Sequence, residues 1–199
     1  MNTEQELKKV RETVRRLCSE ESVKNYPGPI PVVSFDTNRI NSKQRLVAMN
    51  RIEELGRDGW IELRKSQTMF EELPEGSGLM RSKAEETLVV GGETLQLHEH
   101  EQLEQLRKLL FGRTDDLPLK DERDVQHVFD HQKYSCFCEW NFLITKDKHI
   151  RSKKSELKEL RTNVGSSDEC IEWLNCILPK VKERVQRYYK DAGDRRFIE

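Results

Sequence analysis

The sequence predicts an α/β fold: a three-layer sandwich with a central, mainly parallel sheet flanked by helices, and a further helix at the N-terminus. Three observations carry this. Short apolar runs alternate with longer segments of helical periodicity, the order that builds parallel sheets from strand–helix units. The runs Ile30-Pro31-Val32-Val33-Ser34-Phe35 and Phe142-Leu143-Ile144 read as short buried strands. The chain has 199 residues, room for one domain with a real core and a helical extension.

In chain order, Leu7, Val10, Val14 and Leu17 form one stripe of a helix over residues 3–20. The break at Tyr26-Pro27-Gly28-Pro29 divides an N-terminal extension, 1–26, from the main domain, 27–199. The first strand stops at Asp36-Thr37-Asn38. Asn41 or Ser42 then caps a helix whose buried face is Leu46, Met49, Ile52 and Leu55, ended by Gly56 and Gly59. Trp60 to Leu63 is the second strand, and Thr68 to Leu73 begins another helix. Leu88-Val89-Val90-Gly91-Gly92 fits a hairpin or a turn. Helices are expected from His98 to Phe111 and from Asp121 to about His131. After the strand at Phe142, two final helices are expected, Asp168 to Leu178, stopped by Pro179, and Lys180 to about Asp191.

Charged residues make up 36% of the chain and hydrophobic ones 35%, so the core is modest, yet the apolar residues cluster, which excludes wholesale disorder. A net charge of −1 excludes a global basic signature, so any nucleic-acid contact must come from local patches. The N-terminus lacks the apolar core of a secretory signal, and no run approaches the roughly 20 apolar residues that span a bilayer. Five irregularly spaced cysteines fit a reduced, cytoplasmic protein with no membrane association.

Acidic residues carry the functional signal. Two apolar strands run into aspartates, Asp36 directly and Asp147 after Thr145 and Lys146. In a parallel sheet both side chains emerge at the carboxyl rim, where ligands of such sheets sit. Acids at a core boundary are costly unless compensated, and hard divalent cations compensate oxygen ligands well. Taken alone, each aspartate is equally well a cap of a turn or helix. Glu72 and Asp124 stand at expected helix starts, a place the helix dipole favours for any acid.

The ordered set is more specific. A strand ending in Asp36-Thr37-Asn38, a helix start Thr68-x-x-x-Glu72-Leu73, an amphipathic helix led by Asp124, and an apolar strand ending in Thr145-Lys146-Asp147 together resemble the PIN-like domain nucleases over about residues 30–175. That resemblance implies a four-carboxylate Mg²⁺ or Mn²⁺ site of Asp36, Glu72, Asp124 and Asp147, supported by Asn38 and Thr145. It implies hydrolysis of RNA phosphodiesters, with single-stranded DNA as an alternative substrate, leaving 5′-phosphate and 3′-hydroxyl ends. Lys146, Lys148 and Arg151 are the nearest cations for the substrate backbone, with Lys153 and Lys154 beyond; a second basic group lies on the last helix at Lys180, Lys182, Arg184, Arg187 and Lys190. A toxin of a toxin–antitoxin pair, a defence effector and an RNA-processing enzyme would share such a site.

The chain departs from that family's pattern at His149, where a further acid is usual, and at His127-Val128-Phe129, where small residues are usual. A catalytically degenerate scaffold, pairing with itself or a protein partner through the N-terminal helix, is therefore the alternative. A phosphatase starting from Asp36 would want a second aspartate at Asn38. A zinc site would draw on His127, His131, Cys136 and Cys138, but the C-x-C spacing is shorter than zinc sites use.

Overall fold

The computed structural model describes residues 30–36, 45–58, 60–66, 68, 97–135 and 140–191, and 88–90; for 88–90, 97–98 and 185–191 it describes the backbone alone. The expected N-terminal helix and Pro/Gly break, the caps at Asn41 and Ser42, Asn38, the helix carrying Glu72, and the Cys136/Cys138 pair lie outside these residues. The elements run β1 (Val32–Phe35), α1 (Val47–Arg57), β2 (Glu62–Ser66), β3 (Leu88–Val90), α2 (Leu97–Phe111), α3 (Leu119–Ser135), β4 (Asn141–Ile144), α4 (Lys148–Ser152), α5 (Lys154–Glu159), β5 (Val164–Gly165) and α6 (Ser167–Asp191).

The strands form one sheet in the order β3-β2-β1-β4-β5, with every pair parallel. From β1 the chain builds outward through β2 to β3, then returns to place β4 on the other side of β1. The strand order therefore reverses between β1 and β4, the point where an open α/β sheet leaves a crevice beyond its carboxyl ends. Val33 pairs with Phe142 and Phe35 with Ile144. All four residues of β1 and of β4 are buried, as central parallel strands covered on both faces require.

Each face has its own core. On one, Val33, Phe35, Phe142 and Ile144 pack with Met49, Ile52 and Leu55 of α1 and Cys170, Leu174 and Ile177 of α6. On the other, Leu143 and Val164 pack with Leu103, Leu106 and Leu110 of α2, Val125, Val128 and Phe129 of α3, Ile150 and Leu157. The period-two alternation of Phe142, Leu143 and Ile144 between the two clusters completes the three-layer sandwich. No described helix is long and apolar enough to cross a membrane.

Several boundaries differ from the sequence reading, for local reasons. Strand β2 lies later than Trp60–Leu63 because Arg64 and Lys65 continue the ladder: Arg64 binds Glu62 at 3.0 Å and donates to the Tyr134 carbonyl, while Lys65 is fully buried. Residues 88–90 form neither hairpin nor turn but a parallel edge strand on β2. Helix α1 does end between Gly56 and Gly59, at Arg57, and a Cβ at Gly56 would stand 2.6 Å from Leu63, so this glycine also serves close helix–strand approach. Helix α2 does end on a glycine, Gly112 at φ +74°, whose N–H caps the Lys108 carbonyl at 2.9 Å.

The two expected final helices are one, with Pro179 inside it. A proline inside a helix, through its missing N–H and the clash of its ring, costs about 3 kcal/mol, and burial of Leu174, Ile177 and Val181 on both sides of it offsets this. The helix opens with a reciprocal capping box. Ser166 N–H donates to Glu169 Oε2 at 2.7 Å, and Glu169 N–H donates to Ser166 Oγ at 3.2 Å.

Gly165 is wedged against this box: an added Cβ would lie 2.7 Å from Glu169 Oε2 and 2.9 Å from Phe142 Cζ. Gly165→Ala is expected to destabilise the protein by about 1–3 kcal/mol, lowering the melting temperature by about 3–10 °C. Thermal unfolding followed by circular dichroism checks this; an unchanged midpoint would contradict the close packing.

Candidate functional site

The crevice beyond β1 and β4 is where the sequence places two of its acids. Asp36 follows Phe35, the last residue of β1, and its N–H donates to the Ile144 carbonyl at 3.0 Å, so the β1–β4 ladder extends to the acid itself. Asp36 is 7% exposed and, two residues on from Ser34, falls on the α3 face, where its Oδ2 accepts the Thr145 hydroxyl at 2.8 Å. Thr145 is fully buried at the end of β4, and its Oγ1 also accepts the Asp147 N–H at 2.9 Å. One hydroxyl thus ties the two strand-terminal acids together.

Asp147 is half-buried and caps α4, its Oδ1 accepting the N–H groups of His149 at 2.7 Å and Ile150 at 3.1 Å. The capping role that the sequence left open for this residue is real, and both cap bonds fall on Oδ1. His149, in the place of a further acid, packs its ring 5.3 Å from Phe111.

Asp124 comes from α3, which packs on the Leu143 face of the sheet. It does not head its helix: α3 begins at Leu119, and Asp121 and Glu122 are the acids of its first turn. The helix-dipole explanation for an acid at 124 therefore fails. Among the described residues Asp124 Oδ2 is buried with no hydrogen-bond partner, a rare condition for a native carboxylate. Burial first, then the charges of Asp147 and Asp36, push its carboxyl up to about 7, with His127 and Lys120 opposing. Three acids separated by up to 111 residues of sequence thus feel one another at a single rim.

The fourth acid, Glu72, and Asn38 lie outside the described residues. Among the described residues, no group of three His, Cys, Asp or Glu is placed to hold a metal ion. The donor chemistry still suits a hard cation: Asp36, Asp124 and Asp147 are all oxygen ligands, and Asp124 offers a buried oxygen with nothing bonded to it.

Lys146 and Lys148 are exposed beside Asp147. Arg151 and Lys154 are instead held by Glu169 at 3.3 and 2.8 Å, and Lys153 by Glu156 at 3.2 Å. Lys154 and the Ser166 N–H bring the Glu169 carboxyl down to about 2. Lys182 and Arg184 sit at the amino edge of the sheet, away from the acids, over the rings of Trp60 at 4.6 Å and Trp140 at 4.3 Å.

Sequence reasoning missed the polar layer under the rim. His127 and His131 are both buried, bonded to Ser66 and Ser34 of the sheet, and His131 also to Asn141. With both ring nitrogens of His131 engaged inside the protein, a zinc role for it is closed. The only signal in the sequence was the four-residue spacing of the histidines on a helix whose other inward residues are apolar.

Compared with protein-family models, curated proteins and solved structures, the chain matches none.

The Asp124 arrangement makes a signed prediction. Its carboxyl protonates near 7 in the folded state and near 3.8 without the fold, so between these values the folded chain holds a proton the unfolded chain has released. Stability therefore falls as pH rises from about 4 to 7 and stays reduced above. Asp124→Asn removes the penalty. In EDTA at pH 8 it should raise the melting temperature by about 2–8 °C, or about 1–2 kcal/mol after discounting for partial exposure, and the gain should shrink toward pH 4. A loss of stability at pH 8 would contradict the geometry.

Proposed function

We propose that the chain is a divalent-metal-dependent nuclease of the PIN-like type, hydrolysing RNA phosphodiester bonds at the carboxyl rim between β1 and β4. The observation that carries this reading is Asp124: a buried, unbonded carboxylate oxygen facing the charges of Asp36 and Asp147 at the switch point of the sheet. Such an arrangement costs stability in the resting protein, and a cation is what relieves it.

In this reading Asp36, Asp124 and Asp147 hold the metal, with Glu72 as the fourth ligand. A bound Mg²⁺ or Mn²⁺ supplies an acidified water and Lewis-acid stabilisation of the phosphate. The residues of the chain do the rest. Thr145 fixes the Asp36 carboxylate from below, and α4 holds Asp147 through its Oδ1, so neither acid must be ordered at the moment of reaction. Lys146 and Lys148 lie where a phosphodiester backbone would run past Asp147. Arg151 is a weaker candidate, since substrate would have to draw it from Glu169.

A second reading has its own support. With no three-ligand group among the described residues and the Asp147 Oδ1 given over to a helix cap, the same fold could serve as a scaffold that has lost the metal.

The two part in one experiment. Purified protein is incubated with mixed RNA and single-stranded DNA in Mg²⁺, Mn²⁺ or EDTA, beside Asp36→Asn and Asp124→Asn. The nuclease reading expects RNA cleavage that leaves 5′-phosphates, is abolished by EDTA, and falls at least about a hundredfold in either variant. Cleavage that survives EDTA or both substitutions contradicts the mechanism, and no cleavage under any condition favours the scaffold.

A further inference from the structure

The buried face of α3 carries two imidazoles one helical turn apart, each presenting Nδ1 to a serine hydroxyl of a different strand. His127 meets Ser66 of β2 at 2.7 Å, and His131 meets Ser34 of β1 at 2.8 Å. The four side chains are between 2% and 6% exposed. Ser34 is level with Arg64 in the parallel register, so Ser66 stands two residues nearer the carboxyl rim. Two strand residues advance about 6.6 Å, and four helical residues about 6 Å. The two repeats match, and one axial placement of α3 satisfies both bonds.

Two further bonds fix the direction. His131 Nε2 lies 3.1 Å from Asn141 Oδ1 at the start of β4; since Asn141 Nδ2 already donates to the Arg161 carbonyl at 2.8 Å, Nε2 is the donor and Nδ1 accepts from Ser34. Burial keeps this ring neutral, its pKa lowered to about 4. Arg64 reaches the Tyr134 carbonyl still nearer the amino edge. Helix α3 therefore runs antiparallel to the strands, and the next turn beyond His127 toward the rim is the one that carries Asp124. A slide of one turn would leave a buried imidazole nitrogen without its hydroxyl.

We propose that the His127–Ser66 and His131–Ser34 bonds are a two-rung register lock that sets α3 along the sheet and so holds Asp124 opposite Asp36 and Asp147. His127 and Ser66, the upper rung, are positioning residues for the acid site. The lock follows from the bonds alone; its use in metal binding rests on the nuclease reading above.

The test compares the effect of Asp124→Asn in four backgrounds, in EDTA at pH 8: the natural chain, Ser66→Ala, Ser66→Thr and Ser34→Ala. Removing the acid's charge raises the melting temperature to the full extent only while the helix keeps that acid buried at the rim beside Asp36 and Asp147. In Ser66→Ala the rise should fall to less than half its value in the natural chain. Ser66→Thr, which keeps the hydroxyl, should restore it, and Ser34→Ala, which breaks the lower rung, should keep most of it. Should Ser66→Ala not fold, Ser66→Ala/His127→Leu removes both partners together; loss of His127, which opposes the Asp124 shift, would by itself enlarge the rise, so a fall still reports the lock and no fall overturns it. In parallel, Mn²⁺ affinity is measured by calorimetry, with a loss of about 10–100-fold expected in Ser66→Ala and restoration in Ser66→Thr. A natural chain that binds no Mn²⁺ removes the metal reading while the melting comparison still decides the lock. Equal shifts in all four backgrounds overturn the lock, whether or not Mn²⁺ binds.

Discussion

The parallel pairing of β1 with β4 sets the position of everything else at the rim. Because Phe35 is level with Ile144, the residues that follow, Asp36 and Thr145, leave the sheet side by side, and the 2.8 Å bond between them needs no further adjustment of the backbone. Thr145 then receives the Asp147 N–H, and Asp147 starts α4. A shift of the register by one residue would send Asp36 to the α1 face and dissolve the arrangement, since side chains alternate along a strand. The register is in turn held by the two apolar clusters, which accept Val33 and Phe35 on one side and Leu143 on the other.

Against that well-packed frame, the α3 side of the sheet is expensive. Ser34, Ser66, His127, His131 and Asn141 are buried polar residues where aliphatic ones would pack more simply. Asp124 adds a carboxylate raised toward neutrality by burial and by two other acids. Local arrangements that disagree with the otherwise consistent pattern of a fold tend to mark function. Here the disagreements are contiguous, running from the Asn141 end of α3 to the acid rim. Neither cost is explained by stability, and both are explained if the rim has a cationic ligand and α3 must present one acid to it at a fixed height.

The sheet was largely legible because its central strands are short, wholly apolar runs bounded by polar residues, as at Val32–Phe35 and Phe142–Ile144. The edge was not: Arg64 and Lys65 conceal the end of β2, and three residues at Leu88–Val90 carry too little pattern to separate a parallel strand from a turn. Local rules failed where packing overrode them. Pro179 reads as a break but is bridged by buried residues on both sides. At the site, Asp36 and Asp147 could be found from their strands. Asp124 was singled out as a helix-start acid and by its place in the ordered pattern of four, and it stands in the second turn of a helix that begins at Leu119. The serine–histidine pairs were invisible because their partners are 61 and 97 residues apart and only the fold brings them together.

In the nuclease reading Asp36, Asp124 and Asp147 share one cation. Crystals soaked in Mn²⁺ and measured at the manganese absorption edge test it most directly. The account predicts an anomalous peak between β1 and β4, about 2.0–2.6 Å from oxygens of at least two of the three carboxylates. Ordered carboxylates with no peak among them, or a peak held by other residues elsewhere on the molecule, would contradict it.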